Sequence, residues 1–192
     1  MSEEVRDNMR IVWDAPIEMS DGVVLRADVF RPIGESTIPA ILSYGPYAKG
    51  MSFAESRPFA WQRLIKTHLV AMAATSNKYQ AWELPDPENW VKDGYAIVRV
   101  DARGAGRSPG YMDPWSPRET RDIYECLAWL AAQPWCSARD HRASRRQVTC
   151  IVVNDRRRFV PRSAGVRSRW QRGGLSGRAG STHPGGTRLA SR

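Results

Sequence analysis

Cysteine, histidine and lysine are scarce in this sequence, and each shortage removes a kind of chemistry. Of 192 residues only three are Cys, at 126, 136 and 150, and three are His, at 68, 141 and 183. The cysteines form no C-x-x-C pair, which excludes a dithiol redox motif, a zinc ribbon and a disulfide framework. Cys126 falls on the apolar stripe of a helical segment, where a small buried hydrophobe is the expected role. A catalytic cysteine would need a histidine base beside it, and the local sequence supplies none. No metal and no cofactor is expected. Long apolar runs are missing too, so nothing approaches the ~20 residues of a membrane span. The opening Met1-Ser2-Glu3-Glu4 lacks the basic-then-apolar plan of a secretory signal. These features predict a cytoplasmic protein with no membrane partner.

Lysine is absent altogether from residues 137–192, which carry 14 Arg against two Asp. Residues 1–136 carry 15 Lys and Arg against 18 Asp and Glu. So abrupt a change marks a boundary between a segment 1–136 and a basic tail 137–192. Within the tail only residues 148–153 read as a strand. Beyond residue 160 Gly, Ser and Arg dominate, a composition that cannot bury enough surface to offset ordering entropy, and disorder is expected. Arginine without lysine, mixed with Gly, Ala, Ser and Pro, fits a shifted reading frame or a gene junction near codon 137. The arginines predict non-specific, salt-dependent polyanion binding. Phe159 and Trp170 are the tail's only aromatics, and no nucleic-acid module is recognisable.

The first segment is ordered in pattern. Ile11-Val12-Trp13 and Ile17-Glu18-Met19 read as β on either side of Asp14-Ala15-Pro16, and Ser20-Asp21-Gly22 reads as a turn. Residues 23–30 alternate with period two, and residues 38–44 form a short apolar run suited to a buried strand. Residues 59–74 have helical spacing, whereas residues 82–90, with Pro85 and Pro87, read as loop. Tyr95-Ala96-Ile97-Val98-Arg99-Val100 is a buried strand that ends at Asp101 and enters a loop with Gly104, Gly106 and Gly110. Ser116-Pro117-Arg118-Glu119 then opens a helix as a capping box, with Ile123, Leu127, Leu130 and Ala131 on one stripe. Gln133-Pro134 ends it. Strand, glycine turn and capped helix are parts of a βαβ unit, so an α/β fold with a mostly parallel sheet is expected.

Four stretches in order carry a resemblance. They are Asp21-Gly22-Val23-Val24-Leu25-Arg26-Ala27-Asp28-Val29-Phe30-Arg31-Pro32, Tyr44-Gly45-Pro46-Tyr47-Ala48-Lys49-Gly50, the run from Gly94 through Asp101-Ala102-Arg103-Gly104-Ala105-Gly106-Arg107-Ser108, and Glu125-Cys126-Leu127-Ala128-Trp129-Leu130-Ala131-Ala132-Gln133-Pro134-Trp135-Cys136. Together, over residues 8–137, they resemble the cocaine-esterase and X-Pro dipeptidyl-peptidase (CocE/NonD) family of serine α/β-hydrolases. The resemblance implies the N-terminal portion of an α/β-hydrolase fold and hydrolysis of a small ester or peptide by a Ser-Asp-His triad. It also implies that Tyr47, the Tyr of the Pro-Tyr-x-Lys segment, donates its hydroxyl to the oxyanion.

The nucleophile, acid and base of that triad have no counterpart. The family's Gly-x-Ser-Tyr-x-Gly elbow is expected about a dozen residues after Pro134-Trp135-Cys136. No G-x-S-x-G is expected anywhere in the chain: Gly165-Val166-Arg167-Ser168-Arg169 and Gly174-Leu175-Ser176-Gly177-Arg178 both lack the closing glycine. Ser144 has no elbow glycine and no apolar strand before it. None of the three histidines stands where the base belongs. Asp28 and Asp101, at strand ends, read as structural rather than as triad acids. The expectation is a hydrolase by family whose present chain is truncated or frameshifted and inactive. The competing readings are a non-catalytic homologue and a nucleic-acid-binding tail.

Overall fold

A computed structural model describes residues 1–34 and 36–137, together with the backbone of residues 149–152. Strand β1 (Ser2–Arg6) turns into β2 (Met9–Glu18) through Asp7 and Asn8, with φ of 50° and 60°. Left-handed φ at both loop positions is what a two-residue hairpin turn demands, and Asp and Asn tolerate it best among side-chain-bearing residues. The second hairpin runs from β2 through Ser20-Asp21-Gly22 into β3 (Val24–Pro32).

Asp14-Ala15-Pro16 does not divide two strands, as the sequence pattern suggests. It lies within β2, where Trp13 and Asp14 form a bulge: the register slips between Val12 and Ala15, and Asp14 takes φ 55°.

Strands β4 (Ala40–Gly45) and β5 (Ala96–Asp101) pair in parallel and are buried along almost their whole length. The sheet order is β1-β2-β3-β5-β4-β6, where β6 is Thr149–Val152. The sheet is mixed. β1, β2, β3 and β5 pair antiparallel in turn, and parallel pairing is confined to β5, β4 and β6. Strand β6 falls where residues 148–153 read as a strand; the disorder expected beyond residue 160 lies outside the described residues.

Helices cover both faces. Leu25, Ala27, Val29, Leu42, Tyr44, Val98 and Val100 point to one face and pack with Cys126 and Leu130 of α5 (Pro117–Ala132). Alternate residues Phe30, Ile41 and Ile97 point to the other and pack with Tyr79 and Val91. Val91 belongs to α4 (Pro87–Lys92), a helix inside the stretch that reads as loop. Its signal was present: Asp86 caps it by accepting the Glu88 N–H at 3.1 Å, and Pro87 fills the first turn. At the start of α5, Ser116 Oγ accepts the Glu119 N–H at 3.1 Å, but the Glu119 carboxylate takes the N–H of Trp115 (2.7 Å) instead of completing a box.

Between β4 and α4 lie α1 (Phe53–Ser56), α2 (Pro58–Thr67) and α3 (Leu69–Ala73). Neither α1 nor α2 buries a residue. Among the described residues no helix is long and apolar enough to cross a membrane.

Candidate active site

The strand order locates the site before any side chain is considered. From β4 the chain passes to β5 on one side, and from β5 it returns past β4 to β6 on the other. In an open α/β sheet, ligands bind outside the carboxyl ends of the strands at such a switch point. Here that is the carboxyl end of β4, and the loop leaving it is Gly45-Pro46-Tyr47-Ala48-Lys49.

Three acids fix that loop, Asp28 and Asp101 buried and Asp14 partly so. Lys49 N donates to Asp101 Oδ1 at 2.6 Å, and Arg107 N donates to Asp101 Oδ2 at 2.8 Å. One carboxylate therefore ties together the loops that leave two adjacent parallel strands. It leaves no room beside it: a Cβ on Gly106, itself at φ 50°, would lie 2.3 Å from Asp101 Oδ2. Burial pushes the Asp101 carboxyl above its ordinary pKa despite the two N–H donors.

The Lys49 side chain, 5 % exposed, turns the other way. Its Nζ donates to Asp14 Oδ1 at 2.6 Å and to Asp28 Oδ1 at 2.8 Å. Burial would depress this ammonium, but its two carboxylate partners outweigh burial and hold its pKa above the ordinary value. Burial likewise opposes ionisation of Asp14, yet Lys49 and Arg107 together keep its pKa low. The bulge at Asp14 has its reason here: it delivers the carboxylate to Lys49 and lets Asp14 N donate to Asp28 Oδ1 at 3.0 Å. Asp28 and Asp101 are thus held in structural bonds.

Tyr47 is half-buried between these anchors and the helices that follow. Its ring lies under the guanidinium of Arg57, 5.8 Å from the centroid. It shares a shallow recess with Ser43, Lys49, Leu84, Arg99 and Val100. Among the described residues no hydrogen bond ends on its hydroxyl. Lys49 is the residue that sequence reasoning missed. Its signal was a lysine two positions after Tyr47, in a fold whose other strand ends carry acids.

One complete G-x-S-x-G string does exist, Gly106-Arg107-Ser108-Pro109-Gly110, which corrects the expectation that the chain has none. Ser108 is no nucleophile. It is 5 % exposed, its Oγ donates to the Asp101 carbonyl at 2.7 Å and accepts from Arg26 N at 2.9 Å. Nor does it have the strained backbone of an elbow, since its φ is not positive. His68 is exposed at the end of α2. His141 and His183 lie outside the described residues, as do Ser144, Ser168 and Ser176.

A mixed sheet covered on both faces, with its crevice at the β4 switch point, defines an α/β-hydrolase fold. The chain belongs to the X-Pro dipeptidyl-peptidase S15 family, whose model matches residues 21–139. It is 30 % identical over 132 residues to the cocaine esterase of Rhodococcus sp. (strain MB1 Bresler), covering 69 % of this chain and 18 % of that protein. Two crystal structures of a CocE/NonD family hydrolase from Staphylococcus aureus superpose with TM-scores of 0.55 and 0.56, at 27 % and 29 % identity. The match covers 74 % of this chain and 22 % and 23 % of those. The chain therefore spans about a fifth of the length of these relatives.

Proposed function

We propose that residues 1–136 are the oxyanion-forming part of a serine hydrolase acting on ester or amide bonds, and that this 192-residue chain does not carry the chemistry through. The observation that carries the reading is the place of Tyr47, on a clamped loop at the carboxyl end of β4. In acyl transfer a base-activated serine attacks the carbonyl, and donors aimed at the developing oxyanion supply much of the rate. Tyr47 would give one donor; the backbone N–H after the nucleophile gives the other.

That nucleophile belongs at the end of the strand beside β4, which here is β6. The residues that follow are Val153-Asn154-Asp155-Arg156-Arg157, without a serine. The family match ends at residue 139, close to the change of composition at 137, which supports a shifted frame or gene junction there.

The test has two arms. The chain as it stands should neither hydrolyse p-nitrophenyl acetate nor take up a fluorophosphonate probe; labelling of any serine within 137–192 overturns the claim of inactivity. Translating the two other frames downstream of codon 137 should recover Gly-x-Ser-Tyr in one of them. The protein read in that frame should label, and Tyr47→Phe should lower its kcat by about 10²-fold. Labelling with kcat unmoved by Tyr47→Phe removes Tyr47 from the oxyanion hole.

A further inference from the structure

Arg57 joins the loop bearing Tyr47 to the helical insert. Arg57, at the junction of α1 and α2, lays its guanidinium over Tyr47 at 5.8 Å and over Trp82 at 5.2 Å. Trp82 meets Phe53 edge-on at 5.2 Å, and Phe53 meets Trp61 at 5.6 Å. Trp82, Phe53 and Trp61 thus form one aromatic wall, which Arg57 links to the candidate oxyanion donor Tyr47.

Stacking engages the faces of a guanidinium and leaves its in-plane N–H groups available for a two-pronged bond to a carboxylate. Several cations elsewhere in the chain are already spent in that way, whereas Arg63 and Lys66 of α2 enter no ion pair among the described residues. Arg107 is paired with Asp14, Arg103 and Arg118 with Asp122, and Lys49 with Asp14 and Asp28. Arg57 is exposed and enters no ion pair among the described residues. The acid nearest it in sequence, Glu55, is occupied by the N–H and hydroxyl of Ser52. Arg31 makes a comparable stack on Trp135, but near the amino ends of the parallel strands, away from the switch point.

We infer that Arg57 and this wall form a carboxylate-recognition subsite, in which the guanidinium takes an acid group of the substrate while the aromatic rings hold the apolar group that bears it. The substrate class is then an aryl or apolar ester or amide carrying a free carboxylate. The word substrate rests on the hydrolase reading; the binding does not.

The full chain is titrated with benzoate at fixed ionic strength, following tryptophan fluorescence and heat of binding, beside benzamide and acetate. Fixed salt and the acetate control separate the subsite from the 14 arginines of the tail, which take any anion. Benzoate should saturate, whereas benzamide lacks the charge, acetate lacks the ring, and both should bind about tenfold more weakly or worse. Arg57→Ala should weaken benzoate by about tenfold or more, and Arg57→Lys, which keeps the charge and loses the fork, by an intermediate factor. Benzoate bound equally well by Arg57→Ala, or no saturable preference for benzoate in the unaltered chain, overturns the inference. If benzoate binds through Arg57 while the frame-restored protein fails to label, the subsite stands and the hydrolase reading falls; the converse pair of results does the reverse.

Discussion

The sheet and the helical insert that interrupts it are built on opposite principles. In the sheet, β4 and β5 are buried on both faces and covered by helices, and even the charged Asp28, Asp101 and Asp122 are buried and hydrogen-bonded. In the insert, α1 and α2 bury nothing, and Phe59, Leu69 and Val70 stand exposed. The sheet is attached to itself at many points. The insert meets the loop after β4 through Arg57 on Tyr47 and the Met51 N–H on the Ala48 carbonyl. The contrast teaches that stability and recognition are carried by different segments, so substitutions should sort by segment rather than by residue type.

The largest effect is expected at Lys49, where the sheet's polar core is most exposed to damage. Lys49→Met leaves Asp28 without its cation and Asp14 with Arg107 alone, a loss of about 3–5 kcal/mol in chemical denaturation. The pH dependence follows from the same cluster. The Lys49 contribution is fully present below its ordinary pKa of 10.5 and is lost as pH rises through the higher folded value. The Asp14 contribution is present above 3.8 and is lost as pH falls through its lower folded value. Melting curves across pH should therefore decline at both ends, and Lys49→Met should abolish the part of the alkaline decline that Lys49 causes.

Next come cavities. Leu42→Ala, fully buried in β4, should cost about 2–5 kcal/mol, whereas Phe59→Ala in α2, 92 % exposed, should stay within about 0.5 kcal/mol. Equal losses at the two positions would break the comparison. Smaller again is Ser116→Ala, which removes the cap of α5 and should lower stability by about 1 kcal/mol.

Much of the sheet was legible in the sequence because its determinants are local. The alternation before Arg31 and the apolar run into Tyr44 are patterns of neighbours, and Ser116-Pro117 signals a helix start within two residues. What escaped depends on distant partners. Asp14 looks like a strand break until Asp28 and Lys49, 14 and 35 positions away, give its bulge a purpose. Asp122 lies on the apolar stripe of α5 and is tolerated there only because Arg103 and Arg118 reach it. Tyr47 was accessible through resemblance alone. Its ring contact with Arg57 needs the insert to fold back on the loop, and no spacing in the chain announces that.

Arg99 shows how such a fold can leave part of its surface free to drift. The guanidinium, 3 % exposed, donates to the carbonyls of Tyr79 at 2.7 Å and Pro85 at 2.8 Å, and burial brings its pKa down to about 10. Both bonds end on backbone oxygens, which every amino acid possesses. The segment from 79 to 85 is thus moored by a feature that mutation of its side chains cannot erase, and its sequence can change to suit new ligands while its path over the sheet stays the same.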